Sequence, residues 1–171
     1  MKDVIELVRA DVEDAELLHK LQVEAFMPLY ERYHDDTTSP AKETLEKIAE
    51  KIEEPYSEFY IIRFEGVNVG GIRIRHHEGK TVLKNASWIS PVFVIPAFQN
   101  KGIAGKVLQI VFGLYPKMTT WRLAAIKQET GSCCLYEKCG FVKSGVEHVI
   151  NEQMTLVDYE KVFKEQDNER H

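Results

Sequence analysis

The stretch from Val92 to Leu108, VFVIPAFQNKGIAGKVL, constrains the fold most, because it changes from a strand pattern to a helix pattern across one tight turn. Apolar β-branched and aromatic residues before Pro96 predict a strand, and Ile103, Val107 and Ile110 recur at helical spacing. The first amides of a helix have no intrahelical partners, so this turn with its small residues favours an anion such as phosphate. Alternatively, the small residues only permit a turn and close helix packing.

Neither of the two common phosphate-binding patterns is present in this turn. The P-loop requires Gly-x-x-x-x-Gly-Lys followed by Ser or Thr, and a dinucleotide-binding turn requires Gly-x-Gly-x-x-Gly. The letters QNKGIAG match neither pattern. The sequence therefore predicts an anion site of another class.

The predicted order of elements is β, α, α, three strands, α, β, α, β, β. A strand–helix–strand unit within an otherwise antiparallel arrangement implies one parallel pair joined by a right-handed crossover. We therefore predict an α+β fold with a mixed, mostly antiparallel sheet. The last two strands are expected to form a hairpin that turns at Asn151 and Glu152.

Prolines and capping residues predict where the elements begin and end. Asp11 is expected to cap the first helix, and Pro28 to end or kink it. The second helix is expected to begin at Ser39 with Pro40 in its first turn. The long third strand of the meander, residues 82–95, is expected to be bulged or unpaired near Pro91, because proline donates no ladder hydrogen bond.

Length and charge predict a single cytoplasmic domain. The 171 residues fit one domain over residues 1–171, with a core at about 3–158 and a charged tail at 160–171. Lys and Arg number 22 against 27 Asp and Glu, a net charge of −5, and no basic cluster indicates nucleic acid. No apolar run is long enough for a membrane span, and no secretion signal is seen. We expect neither nucleic acid nor a membrane as partner.

Three cysteines, Cys133, Cys134 and Cys139, lie close together, but their number is odd and no Cys-x-x-Cys pair exists. This pattern favours reduced thiols over a disulfide framework or a zinc site. A nucleophilic role for Cys133 or Cys134 is an alternative, although no histidine is placed by sequence to activate them. We therefore expect no metal.

Two motifs together resemble the GCN5-related N-acetyltransferase (GNAT) family. Gln99, Gly102 and Ala104 resemble the family's acetyl-CoA motif, Gln/Arg-x-x-Gly-x-Gly/Ala. Downstream, beyond a predicted strand, LYEKCGF at 135–141 resembles the family's late Leu-Tyr-Glu-x-x-Gly-Phe signature. The predicted order of elements also resembles the family's fold from residue 3 to residue 158.

The resemblance implies that the parallel strands splay apart, that helices cover both faces of the sheet, and that the gap holds acetyl-CoA. Tyr136 occupies the position at which many members protonate the leaving thiolate. Glu129 stands where many members carry Asn, so its contact with CoA departs from the family pattern. The residues expected to contact the co-substrate are Val92, Val94, Gln99, Asn100, Lys101, Gly102, Ile103, Ala104, Gly105, Lys106 and Glu129.

The sequence does not single out one residue as the base that takes the proton of the acceptor amine. The histone-acetylating branch of the family places a Glu where this chain has Trp88, so the side-chain base is left open. The base candidates by residue type are Glu24, Glu31, His34, Glu129 and His148, with a water relay as the alternative. The residues expected to bind the acceptor are Tyr30, Glu31, His34, Trp88 and Ser90.

The acidic and aromatic segment at 30–36 is the expected recruiter of a cationic amine, with Glu31, Asp35 and Asp36 supplying the charge. The alternative is a solvated linker between two helices.

The function implied by the resemblance is transfer of acetyl from acetyl-CoA to a primary amine. The acceptor is left open among a small molecule, a polyamine, an aminoacyl group and a protein N-terminus. The alternatives are an acetyl-CoA sensor without turnover and a transferase for a longer acyl group. The sequence also leaves open whether the chain forms a homodimer.

Overall fold

The computed structural model describes residues 4–164, which form one large sheet with helices on both faces. The strands are β1 (Ile5–Arg9), β2 (Ser57–Phe64), β3 (Val67–Arg75), β4 (His77–Glu78), β5 (Thr81–Val82), β6 (Ala86–Val94), β7 (Thr120–Ile126), β8 (Val142–Asn151) and β9 (Met154–Val162). The helices are α1 (Ala15–Tyr33), α2 (Leu45–Glu53), α3 (Ile103–Leu114) and α4 (Thr130–Lys138). Short 3₁₀ turns lie at Val12–Asp14, Pro40–Lys42 and Pro96–Phe98.

The large sheet has seven strands in the order β1-β2-β3-β6-β7-β9-β8, and β4 and β5 form a separate small hairpin. Every neighbouring pair in the large sheet is antiparallel except β6 and β7, which are parallel. The connection between β6 and β7 contains α3, as a parallel pair requires. The predicted mixed sheet with one parallel pair is confirmed.

Helices cover both faces of the sheet, as predicted. On one face α1 and α2 pack over β2 and β3, and buried Leu18, Ile48 and Phe59 lie in that core. On the other face α3 and α4 pack over β1, β6 and β7, with Val107 and Trp121 fully buried there. Each aliphatic side chain buried in this way contributes about 1.5–3 kcal/mol. The two cores hold the four helices in place against the sheet.

Pro91 interrupts the pairing of β3 with β6, as the sequence predicts. Ile72 lies opposite Val92 and Ile74 lies opposite Ile89, so Ser90 and Pro91 together oppose a single residue of β3. Proline has no N–H to donate, and a bulge leaves that position outside the ladder.

The first helix was predicted to end or kink at Pro28, but α1 continues to Tyr33. Proline removes one helical hydrogen bond without preventing the helix from resuming, and contacts beyond it hold the last turn. Asn151 Nδ2 donates to the Tyr33 carbonyl at 2.9 Å, and Tyr33 is buried. His34 then ends the helix in a left-handed conformation, with φ of 52°. Tyr30–Tyr33, predicted as part of a loop, is therefore helical.

Three other boundaries differ from the sequence predictions. Ser39 caps only the turn Pro40–Lys42, and α2 begins separately with Thr44 as its N-cap. The long strand predicted over 82–95 is divided between β5 and β6. The tail predicted from residue 160 begins inside β9, which runs to Val162, and residues 165–171 lie outside the described residues.

Candidate active site

The parallel strands β6 and β7 diverge after a short stretch of pairing. Their register covers Ala86 with Thr120, Ser87 with Trp121, and Trp88 with Arg122. From Leu123 to Ile126, β7 pairs with β9 on its other side. A wedge-shaped gap therefore opens between the two strands towards their carboxyl ends, where α3 and α4 begin.

Main-chain groups of β6 point into this gap. The Ile95 amide donates to the Val69 carbonyl at 2.8 Å, and the Phe93 carbonyl lies directly against Gly70 of β3. Because successive peptide groups of a strand face opposite edges, Val92 and Val94 direct theirs away from β3 and towards the gap.

The side chain of Gln99 holds the turn that follows β6. Its Nε2 donates to the Val94 carbonyl at 2.8 Å. Gln99 therefore closes the turn against the strand that it leaves. Its neighbour Asn100 has a positive φ of 61°.

The start of α3 opens into space at the wide end of the gap. Gly102 is the N-cap with φ of 77°, a left-handed conformation that favours glycine, and a Cβ there would meet nothing within 4 Å. Lys101 and Gly102 are exposed, and no side chain caps the helix. The amides of the first turn of this 12-residue helix therefore face open space, which is the arrangement that binds anions at helix starts.

Gly105 has a different role from Gly102. A Cβ on Gly105 would lie 3.4 Å from Leu135 Cδ1 and 3.9 Å from Cys139 Sγ, both in or just beyond α4. The small residue at 105 therefore lets α3 approach α4. The sequence reasoning assigned both glycines to the anion, and the structure directs the missing side chain of Gly105 towards α4.

Tyr136 lies on α4, which packs over β7. Its ring packs edge-on against Phe141, with ring centroids 6.1 Å apart, and against Tyr159, at 6.2 Å. Tyr159 is the register partner of Leu123, the first β7 residue beyond the pairing with β6. Burial, with smaller contributions from Cys133 and Cys139, raises the pKa of Tyr136 to about 12. The phenol is therefore protonated throughout the neutral range.

Glu129, at the N-cap of α4, contacts α1. Its Oε2 lies 2.6 Å from Arg32 Nη1 and accepts a hydrogen bond from Tyr33. The hydrogen bond to Glu129 and its charge raise the pKa of Arg32. Glu129 thus joins α4 to α1, which lies on the other face of the sheet, a role that its sequence position alone did not indicate.

The segment at 30–36 does not present its acidic groups as predicted. Asp35 is buried, and its carboxylate accepts hydrogen bonds from the amides and hydroxyls of Thr37 and Thr38. Burial raises the pKa of Asp35, but the hydrogen bonds from Thr38 and Thr37 outweigh it and hold the pKa below its usual value. The Asp35 carboxylate thus helps to fold the loop, and its contribution to recruiting a cation stays a prediction.

Some of the other residues in the segment at 30–36 contact neighbouring side chains, and others are exposed. The Tyr30 hydroxyl donates to Asp36, and Lys42 Nζ lies 4.2 Å from the Tyr30 ring centroid. Glu31 and His34 are exposed.

A cleft of about 230 Å³ lies on the sheet beside the closed end of the gap. The residues lining it are Glu78, Trp88, Arg122, Ser144, Val146, Asp158, Tyr159 and Glu160. Trp88 was predicted from the sequence, whereas Arg122, Asp158 and Glu160 were not. Ser90, also predicted, is exposed two residues further along β6.

The remaining base candidates lie apart from one another. Glu24 is exposed on α1, and His148 lies on β8 with its Nε2 3.4 Å from Asp158 Oδ2. Within residues 4–164 no group of three or more His, Cys, Asp or Glu side chains is arranged to hold a metal ion. No helix in the same range is long and apolar enough to cross a membrane.

Comparisons with known proteins agree with this geometry. A model of the acetyltransferase (GNAT) family matches residues 16–141. A search of curated proteins finds no match. The chain belongs to the acetyltransferase (GNAT) family, which confirms the family and the enzyme class predicted from the two motifs.

Solved structures with the same fold include three acetyltransferases of low sequence identity. An acetyltransferase from Thermus thermophilus is 15% identical, with a TM-score of 0.72, and the match covers 94% of this chain and 97% of that one. The PaiA N-acetyltransferase from Thermoplasma acidophilum, in complex with coenzyme A, is 17% identical (TM-score 0.72; 94% and 99%). A Salmonella typhimurium enzyme that modifies the N-terminal serine of ribosomal protein L7/L12 is 18% identical (TM-score 0.71; 94% and 95%).

Proposed function

We propose that the protein transfers the acetyl group of acetyl-CoA directly to a primary amine. The observation that carries the proposal is the gap between β6 and β7, which has main-chain groups of Val92 and Val94 along one side and the open start of α3 at its wide end. Acetyl-CoA is an extended arm with amide groups that ends in a diphosphate. Strand main chain suits the arm, and helix amides suit the diphosphate.

The structure of PaiA with coenzyme A supports this placement, because that protein has the same fold. The residues proposed to cradle the diphosphate are Lys101, Gly102, Ile103, Ala104, Gly105 and Lys106, through their main chain. We assign Gln99 and Asn100 to shaping the turn, and Glu129 to joining α4 to α1.

In the proposed reaction the amine nitrogen attacks the thioester carbonyl carbon, and the bond from that carbon to sulfur breaks. Main-chain amides of the gap stabilise the oxyanion that develops on the carbonyl. Tyr136 lies on α4 with its hydroxyl protonated, and we assign it the proton that the leaving sulfur takes. The acceptor enters through the cleft beside Trp88.

The test is release of free thiol from acetyl-CoA in the presence of butylamine, spermidine and the dipeptide Ser-Ala, which represent the acceptor classes left open. We expect at least one to support turnover, and Tyr136→Phe to lower kcat by roughly 10²–10⁴-fold with unchanged affinity for acetyl-CoA. Tyr56→Phe is the matched control, because Tyr56 is an exposed tyrosine before β2.

Three results contradict parts of the proposal. Acetyl-CoA that fails to bind in a calorimetric titration overturns the assignment of the gap. Binding without thiol release for any amine identifies a sensor instead of an enzyme. Turnover by Tyr136→Phe equal to that of Tyr56→Phe assigns Tyr136 to packing only.

A further inference from the structure

Asp158 of β9 lies one strand away from the gap, on the side of the sheet that carries the cleft. Its register partner in β7 is Ala124, which belongs to the part of β7 beyond the pairing with β6. Ala124 is small, so little side-chain bulk separates the Asp158 carboxylate from the gap. Asp158 also lines the cleft together with Trp88.

The carboxylate of Asp158 has one oxygen engaged and one available. His148 Nε2 lies 3.4 Å from Oδ2, and Oδ1 has no hydrogen-bond partner within residues 4–164. The side chain of Asp158 is 16% exposed and that of His148 is 54% exposed. His148 lies opposite Leu156 in the register of β8 with β9, which places it on the same face as Asp158.

The other charged groups in the cleft favour a cation. Arg122 Nε lies 3.6 Å from Glu160 Oε2, so the guanidinium charge is largely offset by its neighbour. Glu78, from the β4–β5 hairpin, adds a further carboxylate to the lining. Trp88 also lines the cleft, and the Arg75 guanidinium of β3 lies 5.7 Å from its ring centroid.

We propose that Asp158 binds the ammonium group of the acceptor and that His148, held by Asp158, removes its proton. The inference rests on the proposed acetyl transfer and assigns the acceptor as a small cationic amine. Asp158 Oδ1 accepts a hydrogen bond from the ammonium, and the carboxylate stabilises the imidazolium that forms.

The protons balance across the reaction. The ammonium nitrogen begins with three hydrogens, and the amide product keeps one. One proton passes to Nδ1 of His148, whose Nε2–H donates to Asp158, and then to solvent. The second proton leaves the nitrogen as the tetrahedral adduct collapses. It returns to the Tyr136 oxygen, which has given its own proton to the sulfur.

The first experiment measures steady-state kinetics with spermidine, butylamine and Ser-Ala for His148→Gln and Asp158→Asn. We expect His148→Gln to lower kcat at pH 7 by roughly 10²-fold, with recovery above pH 9 as the amine loses its own proton. We expect Asp158→Asn to raise the acceptor KM about tenfold or more, with the acetyl-CoA KM unchanged.

Glu147→Gln is the matched control, because Glu147 adjoins His148 in β8, projects to the opposite face and pairs with Lys127. We expect its kinetics to equal those of the unmodified protein. If His148→Gln and Asp158→Asn also retain full kcat and acceptor KM at pH 7 while the unmodified enzyme turns over, the inference is overturned and the proposed function stands.

A second measurement does not depend on turnover. Spermidine is added to the protein with coenzyme A bound, and the ring-proton NMR signals of His148, assigned by comparison with His148→Gln, are followed. We expect a shift that saturates in the unmodified protein and is lost in Asp158→Asn. If no amine is acetylated but this shift is seen, the cation site stands and the proposed function fails; if the shift is absent, the site fails.

Discussion

Alanine at Gly102 and alanine at Gly105 are expected to change stability in opposite directions, although both glycines lie within one turn of α3. At Gly102 the backbone φ of 77° places an L-residue in the left-handed region, which costs about 1–2 kcal/mol. Steric clash adds nothing, because a Cβ there would meet nothing within 4 Å.

At Gly105 the same substitution removes a glycine from a helix, which gains about 0.5–1 kcal/mol. The new Cβ makes ordinary contacts, 3.4 Å to Leu135 Cδ1 and 3.9 Å to Cys139 Sγ. For a chain of this length about 1 kcal/mol corresponds to roughly 2–4 °C in Tm. We therefore expect Gly102→Ala to lower Tm by roughly 2–8 °C, and Gly105→Ala to raise it by about 1–4 °C.

Thermal unfolding followed by circular dichroism measures the two shifts, and calorimetric titration measures acetyl-CoA affinity. We expect Gly102→Ala to weaken binding and Gly105→Ala to leave it unchanged, because only the first places a methyl group in front of the open helix start. Equal loss of affinity in both variants would refute the separation of the two glycines. A Tm for Gly102→Ala equal to that of the unmodified protein would refute the backbone argument.

Two further predictions concern buried carboxylates. Glu58 Oε1 accepts a hydrogen bond from the Tyr115 hydroxyl at 2.6 Å and lies 2.6 Å from His76 Nε2. Burial raises the pKa of the Glu58 carboxyl, but these contacts outweigh burial and lower the pKa below its usual value. Its contribution to the free energy of unfolding is therefore present at neutral pH and lost as the pH falls below about 4. We expect Glu58→Gln to lower the free energy of unfolding by about 1–3 kcal/mol at pH 7 and to make that free energy fall less steeply at acid pH. A fall as steep as that of the unmodified protein would contradict this. We expect Asp35→Asn to cost about 1–3 kcal/mol of stability, seen as a lower Tm, because it removes hydrogen bonds from Thr38 that close the loop. The acceptor KM at low salt should stay unchanged. A raised KM without loss of stability would support a recruiting role for Asp35.

The sequence predicted the features that depend on local patterns. Helix α3 and its open start follow from the spacing of Ile103 and Val107 after a small-residue turn. The bulge at Pro91 follows from a missing donor. Of the two motifs that identified the family, the first lies at the start of α3 and the second covers the end of α4 and the turn after it.

The sequence failed where a distant contact outweighed a local signal. Proline within α1 predicted a boundary, but Tyr33 is fixed from β8 by Asn151 and from α4 by Glu129, so the helix resumes beyond Pro28. The acidic segment after α1 suggested a surface for cations, yet the hydrogen bonds of Asp35 turn one carboxylate inward. Neither contact follows from spacing along the chain.

The sequence by itself determined the small-residue turn before α3 and the position of Tyr136 on a helix, because each depends on residues within a few positions of one another. Only the tertiary structure decided which side chains line the cleft beside the gap. Trp88, Arg122 and Asp158 belong to three different strands, and they become neighbours because β9 inserts beside β7 in the sheet. Strand alternation puts Arg122 and Asp158 on one face, but the order of strands across the sheet is a long-range property that no local pattern specifies.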